Sequence, residues 1–303
     1  MRFLEKLAIK LTVYPSSTRS AGLLRFFWGL ILWARWADEL LPFRRLDPDR
    51  LLLSACFFIG TTGMVLGLWS RLSSFLAGVT TLCMVFIYGH QLGVEPWTHH
   101  HTTFLAVITL LIALLPCGHS FSLDRWLAIH KANINGQDWP EEVGNVWALR
   151  LVALQLSAVY FWGAVNKTRI AFLGGDRIEQ PLLYLYFGSD YPGEWFHWLA
   201  ICTAVSTVTL EYVLVFGLWM RRIQGPMMIL GVVFHAGIYY FLPVKVFSIA
   251  SIVAYLAYMD PKWLHTALDK IMGHGQPPAQ WVASDDSTGH KAQSLPLPGC
   301  EKN

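Results

Sequence analysis

From Thr102 to Cys117 the chain holds no Asp, Glu, Lys or Arg. Predominantly apolar segments recur at roughly 20–41, 50–69, 73–91, 101–117, 146–167, 196–219, 226–242 and 244–259. Each is near the ~20 residues that a helix needs to cross a hydrocarbon core. Helices are also one of the two structures that satisfy their own backbone there. The pattern predicts an all-α fold: a polytopic transmembrane helix bundle of about eight spans. The spans at 101–117, 226–242 and 244–259 are the shortest, and Leu242-Pro243-Val244 reads as a tight turn between the last two.

Composition excludes several alternatives. Only 14% of residues are charged and 54% are hydrophobic, against about 25% charged in soluble domains. The 14 Trp and 11 Tyr suit membrane interfaces, where amphipathic rings collect. A net charge of +3 is too small to imply a nucleic-acid partner. No Walker loop, GxGxxG or HExxH occurs, and the five cysteines form no CxxC pair, so no metal site is assigned.

Residues 1–19 form one unit: Phe3, Leu4, Leu7 and Leu11 recur at helical spacing opposite Arg2, Glu5, Lys6 and Lys10. This predicts an amphipathic helix lying in the interface. Residues 20–260 form the membrane domain, and 261–303 a polar, largely disordered cytoplasmic tail. Within the membrane domain, Ser122 is placed to cap a short amphipathic helix through Leu123, Trp126 and Leu127. Asn135-Gly136 then reads as a turn. With the N-terminus inside, Lys and Arg are more numerous on inner than on outer segments, so both termini are expected in the cytoplasm. The expected location is a bacterial plasma (inner) membrane, with membrane lipids as the first partners.

Such a topology gathers ionisable groups near the outer leaflet: His99-His100-His101 opens the fourth span, Lys167 closes the fifth, His197 opens the sixth and His235 lies in the seventh. Lys167 either snorkels to the headgroups or, partly desolvated, yields a neutral amine that acts as a base. Tyr160 lies on the same helical face, with Gly163 and Ala164 between. Those small residues leave room for a flat ligand or for close helix packing. His235 sits inside an apolar run, and an ionisable group there is a functional candidate by default. Arg25, Arg150 and Glu211 are also inside spans and are expected to supply structural charge. Glu211 lies roughly 22 Å down a helix rising ~1.5 Å per residue, which predicts an inner-half partner such as Arg25 or Arg150 and leaves Lys167 unpaired.

The segment HTTFLAVITLLIALLPCGHSFSLD from His101 to Asp124 resembles the HTTM (horizontally transferred transmembrane) family, which includes the transmembrane part of vitamin K-dependent γ-glutamyl carboxylase. Three further elements are similar to that family's pattern: Tyr160-Phe161 followed by Asn166-Lys167 and Gly174-Gly175; Leu210-Glu211; and Phe234-His235 with Phe247. The resemblance implies a lysine base at Lys167, with His101 and His235 in the same site. A lipid quinol of the menaquinol or vitamin K type would be the cofactor, bound near Tyr160, Trp162, Gly163 and Asn166. The implied activity is carboxylase-like or monooxygenase-like modification of a peptide or lipid, using the quinol and oxygen.

Two departures stand beside it. Ile238, Tyr239 and Tyr240 replace the carboxylase's polar cluster after the histidine. No counterpart of its large luminal domain follows in 261–303, so recognition of a secreted peptide substrate is left to a soluble partner domain. Shorter members of the SdpB type imply the alternative, a non-catalytic membrane factor for maturation, export or immunity of a secreted peptide.

Overall fold

The computed structural model describes residues 11–41, 48–94, 97–188, 190–242 and 244–272. Most of the expected interfacial helix, the Pro243 turn and the tail beyond 272 lie outside those residues. Among the described residues the regular structure is helical apart from two short strands, β1 (Pro15–Ser17) and β2 (Val143–Asn145), which pair antiparallel. The helices are α1 (Arg19–Leu40), α2 (Pro48–Leu66), α3 (Ser70–Met84, continued as a π-helix to Gln91), α4 (His100–Ala113), α5 (Leu123–Asn135) and α6 (Leu149–Lys167). They continue as α7 (Ile170–Leu173), α8 (Asp176–Leu182), α9 (Glu194–Gly217), α10 (Gln224–Phe241), α11 (Lys245–Ala254) and α12 (Pro261–Met272).

Among the described residues two helices, Ser70–Gln91 and Glu194–Gly217, are long and apolar enough to cross a membrane, while Arg50–Leu66, His100–Ala113 and Lys245–Ala257 are shorter apolar helices. The outside of the bundle is apolar: Ile59, Phe216 and Ile229 are each about two-thirds exposed. In water such a surface would be a liability; against acyl chains it is the expected face.

Local chemistry sets the ends of these helices. Ser122 Oγ accepts from the Arg125 amide at 3.0 Å, capping α5, and Gly136 ends that helix at φ +64°. Asp124 accepts from the Trp69 and Ser70 amides and from Ser70 Oγ, each at 2.8 Å, and so caps α3 from a different part of the chain. The polar stretch from 261 begins as a docked helix, not as tail. Arg19 Nη1 meets Asp269 at 2.6 Å, Arg19 Nε meets Glu142 at 2.7 Å, and Ser17 Oγ bonds His265 Nδ1 at 2.9 Å. These contacts gather β1, β2, the start of α1 and α12 at one end of the bundle.

Arg25 is wholly buried, and its guanidinium donates to the carbonyls of Cys117 at 3.1 Å, Phe121 at 2.6 Å and Met64. The expectation that it pairs with Glu211 is corrected. Arg25 serves a carbonyl in the last turn of α2, where a cation complements the helix dipole, and two carbonyls of the segment joining α4 to α5. Arg150 also lies away from Glu211, with its guanidinium carbon 4.4 Å from the Tyr14 ring centroid.

Candidate functional site

Tyr160, Gly163, Ala164 and Lys167 recur at helical spacing on α6, so they share one face. That face packs against α9, whose Glu211 it meets, and against α10, whose His235 it meets. Tyr160 is buried, and its hydroxyl bonds both His235 Nε2 and Tyr255 Oη at 2.6 Å. His235 is fully enclosed. One turn before it on α10, Gly231 has no side chain because there is no room for one. An ideal Cβ there would fall on the Tyr255 hydroxyl and within 2.7 Å of its Cζ.

Two turns further along α6 from Tyr160, Lys167 Nζ donates to Glu211 Oε1 in an ion pair. Glu211 is almost enclosed, with 6% of its side chain exposed, while Lys167 keeps 32%. Gly163 faces the pair: a Cβ there would lie 3.5 Å from Glu211 Oε2 and 3.6 Å from Lys167 Nζ. Gly163 lies between Tyr160 and Lys167 on the same face of α6, so the ion pair and the tyrosine–histidine cluster share that face. The two groups of residues are therefore one polar patch in an apolar bundle. Two of its buried atoms, Glu211 Oε2 and His235 Nδ1, have no hydrogen-bond partner among the described residues.

The ion pair overturns the expectation that Lys167 stands apart from Glu211. The error lay in assuming that α6 and α9 end at the same level. Trp219 Nε1 bonds Ser157 Oγ at 2.8 Å and Thr168 Oγ1 lies 3.3 Å from Tyr212 Oη, so the antiparallel pair is staggered. The top of α6 stops beside residue 211, roughly 25 Å below the start of α9 at ~1.5 Å per residue. The chain then climbs the remainder of α9 as α7 and α8: Gly175 abuts Ile201, and Glu179 reaches His197.

Other expected site residues are placed differently. Trp162 and Asn166 are exposed, on the side of α6 opposite Tyr160. Gly163 serves the close packing that admits Glu211. His101 lines a separate cavity of about 420 Å³ with Arg35, Lys245 and Phe247. The Phe247 ring stands between it and the patch, packed edge-on against His235 with centroids 5.7 Å apart.

A family model described as the HTTM domain matches residues 46–263. The chain belongs to the HTTM family. The match begins after α1 and ends within α12, so it takes in every residue of the polar patch. No curated protein and no solved structure matches the chain.

Reading the HTTM sequence missed Tyr255 and Gly231. The signal for Gly231 was present, since a glycine one turn before a span-embedded histidine marks close approach on the histidine's own face. Nothing local marked Tyr255, which reaches Tyr160 only through the packing of α10 and α11. His197, expected in the outer group, bonds Glu179 Oε2 at 2.6 Å. With Asp176 these form a cluster whose ligand-type atoms lie within 4.8 Å of one another.

Proposed function

We propose that this membrane protein is an enzyme of the carboxylase-like kind within its family. It would use a lipid quinol and oxygen to modify a peptide or lipid, with the Lys167–Glu211 pair as its base. The observation that carries this reading is the patch itself: a buried carboxylate and an imidazole, each with an unpartnered atom, beside a lysine. Unpaired polar atoms in such surroundings cost about 1–3 kcal/mol each and persist where a ligand completes them.

The residues fit a ligand hydroxyl. Glu211 Oε2 accepts, and with the Tyr160 hydroxyl donating to Nε2, His235 carries its ring proton on Nδ1 and donates. These two atoms would hold the quinol, which when bound supplies reducing equivalents and an acidic hydroxyl. The Lys167 ammonium donates to Glu211 Oε1. Passing the ammonium proton to the carboxylate leaves two neutral groups, which removes the penalty of holding two charges in a poorly solvated site. The amine left behind accepts a proton from a neighbouring hydroxyl. Tyr160 and Tyr255 fix the imidazole in place.

The same reading places about eight spans in a bacterial plasma membrane with both termini in the cytoplasm. It leaves recognition of a secreted peptide to a soluble partner. The ion pair also favours a second reading, a non-catalytic SdpB-like factor in which Lys167 and Glu211 only join α6 to α9.

Lys167→Arg separates the two readings, because arginine keeps the charge and the pair but does not give up its proton. The enzyme reading expects an intact fold, a co-purifying quinone detected by lipid mass spectrometry, and loss of peptide or lipid modification in the variant. A variant fully competent in peptide maturation, with no quinone bound to the wild type, overturns it.

A further inference from the structure

At the end of the bundle where α3 starts and α4 finishes lies a cavity of about 800 Å³ that the polar patch does not use; Arg71, Asp124, Arg125 and Glu141 are on its wall. A second cavity of about 560 Å³ shares Arg71 and Leu72 with it and runs on between α3 and α4 past Phe75 and Leu114. The first has a charged wall. The second is apolar beyond Arg71, and its Leu72, Phe75 and Leu114 are exposed on the bundle's outer face. Trp69 is 72% and Trp126 60% exposed beside the charged chamber, the placement of rings at a membrane interface. A chamber with charged side chains on its wall at the interface, sharing Arg71 and Leu72 with a groove that faces the acyl chains, matches the layout of one phospholipid.

The charges left over narrow the headgroup. Asp124 is consumed by its three bonds to the start of α3. Arg125 is consumed by Glu142 at 3.4 Å and by the carbonyls of His119 and Pro140. Arg71 spends only Nε, on the Leu115 carbonyl at 3.1 Å, and forms no ion pair among the described residues. Glu141 is exposed and likewise has no ion pair among the described residues. One cation and one anion therefore remain at the chamber. We propose that it binds a zwitterionic phospholipid bearing a primary amine, phosphatidylethanolamine in class. The phosphate lies on the Arg71 guanidinium, the ammonium on Glu141, and one acyl chain in the groove past Phe75. Arginine's fork suits phosphate, and a primary ammonium offers a carboxylate donors that a quaternary choline lacks.

The test uses the full chain, purified in detergent, stripped of lipid and incubated with equimolar dioleoyl phosphatidylethanolamine, phosphatidylcholine and phosphatidylglycerol before native mass spectrometry. One phosphatidylethanolamine per chain is expected to predominate. Arg71→Gln should lower its retention about tenfold, the loss of a charge-assisted contact to phosphate. Glu141→Gln should keep a lipid bound but erase the preference over phosphatidylglycerol. Because Arg71 also holds the Leu115 carbonyl, Leu114→Trp serves as a second variant, filling the groove from a lipid-facing position without touching a hydrogen bond. Phosphatidylglycerol or phosphatidylcholine as the main adduct overturns the proposal, as does undiminished retention in Leu114→Trp.

Discussion

Gly231→Ala tests the packing that holds His235 in place. The new methyl would fall on the Tyr255 hydroxyl and within 2.7 Å of Cζ and 3.0 Å of Cε2, so a whole ring must move rather than a flexible tip. Overpacking of this kind costs about 1–3 kcal/mol. Displacing Tyr255 also breaks its 2.6 Å bond to Tyr160, a further loss of about 1 kcal/mol. Alanine's better helix propensity returns about 1 kcal/mol, leaving a net destabilisation of about 1–3 kcal/mol. Tyr255→Phe removes the atom that the methyl strikes first, so Gly231→Ala should cost less in that background than in the wild type. Thermal unfolding of the four proteins in one detergent, read as a double-mutant cycle, measures the difference. Strict additivity, or an unchanged midpoint for Gly231→Ala alone, would refute the close approach of Tyr255 and with it the clamp on His235.

Arg25→Lys should be poorly tolerated although it preserves charge. A single ammonium cannot serve the carbonyls of Met64, Cys117 and Phe121 together, and bonds to a charged group are worth about 1.5–3 kcal/mol each; the yield of folded, monodisperse protein after extraction reads the effect. The contact between α12 and α1 should weaken in acid. Burial, reinforced by the Arg19 charge, holds the His265 pKa below its usual value despite Asp269, and a neutral ring protonated on Nε2 satisfies both Ser17 and Asp269. The sign follows from linkage: the stabilisation is complete above the ordinary histidine value of about 6.5 and is lost as pH falls below it. Limited proteolysis within 261–272 should accelerate below that pH, and His265→Gln should flatten the profile.

Much of the local structure was legible in the chain. Long charge-free runs specify helices because in lipid the backbone must pair with itself, and Ser122 capped the helix it preceded because the cap is a contact over three residues. The histidine and lysine at span ends or interiors were visible as candidates because charge is scarce there. The partners of those candidates were not visible. Whether Lys167 meets Glu211 depends on the stagger of α6 against α9, and α7 and α8 absorb that stagger without a mark in the hydrophobic pattern. Arg25 looked like half of an ion pair, since a buried cation needs compensation, yet one carbonyl in the last turn of α2 and two in the α4–α5 connection compensate it as well as a carboxylate would. Tyr255 joined the patch only through the approach of α11 to α10 at Gly231. Periodicity within one helix reports which residues share a face; the rise of one helix along another is set by packing across residues distant in the chain. The sequence by itself thus determined a helical membrane protein and the residue types available for chemistry. Only the tertiary structure decided that Lys167, Glu211, His235, Tyr160 and Tyr255 gather in one polar patch and that His101 stands apart behind Phe247.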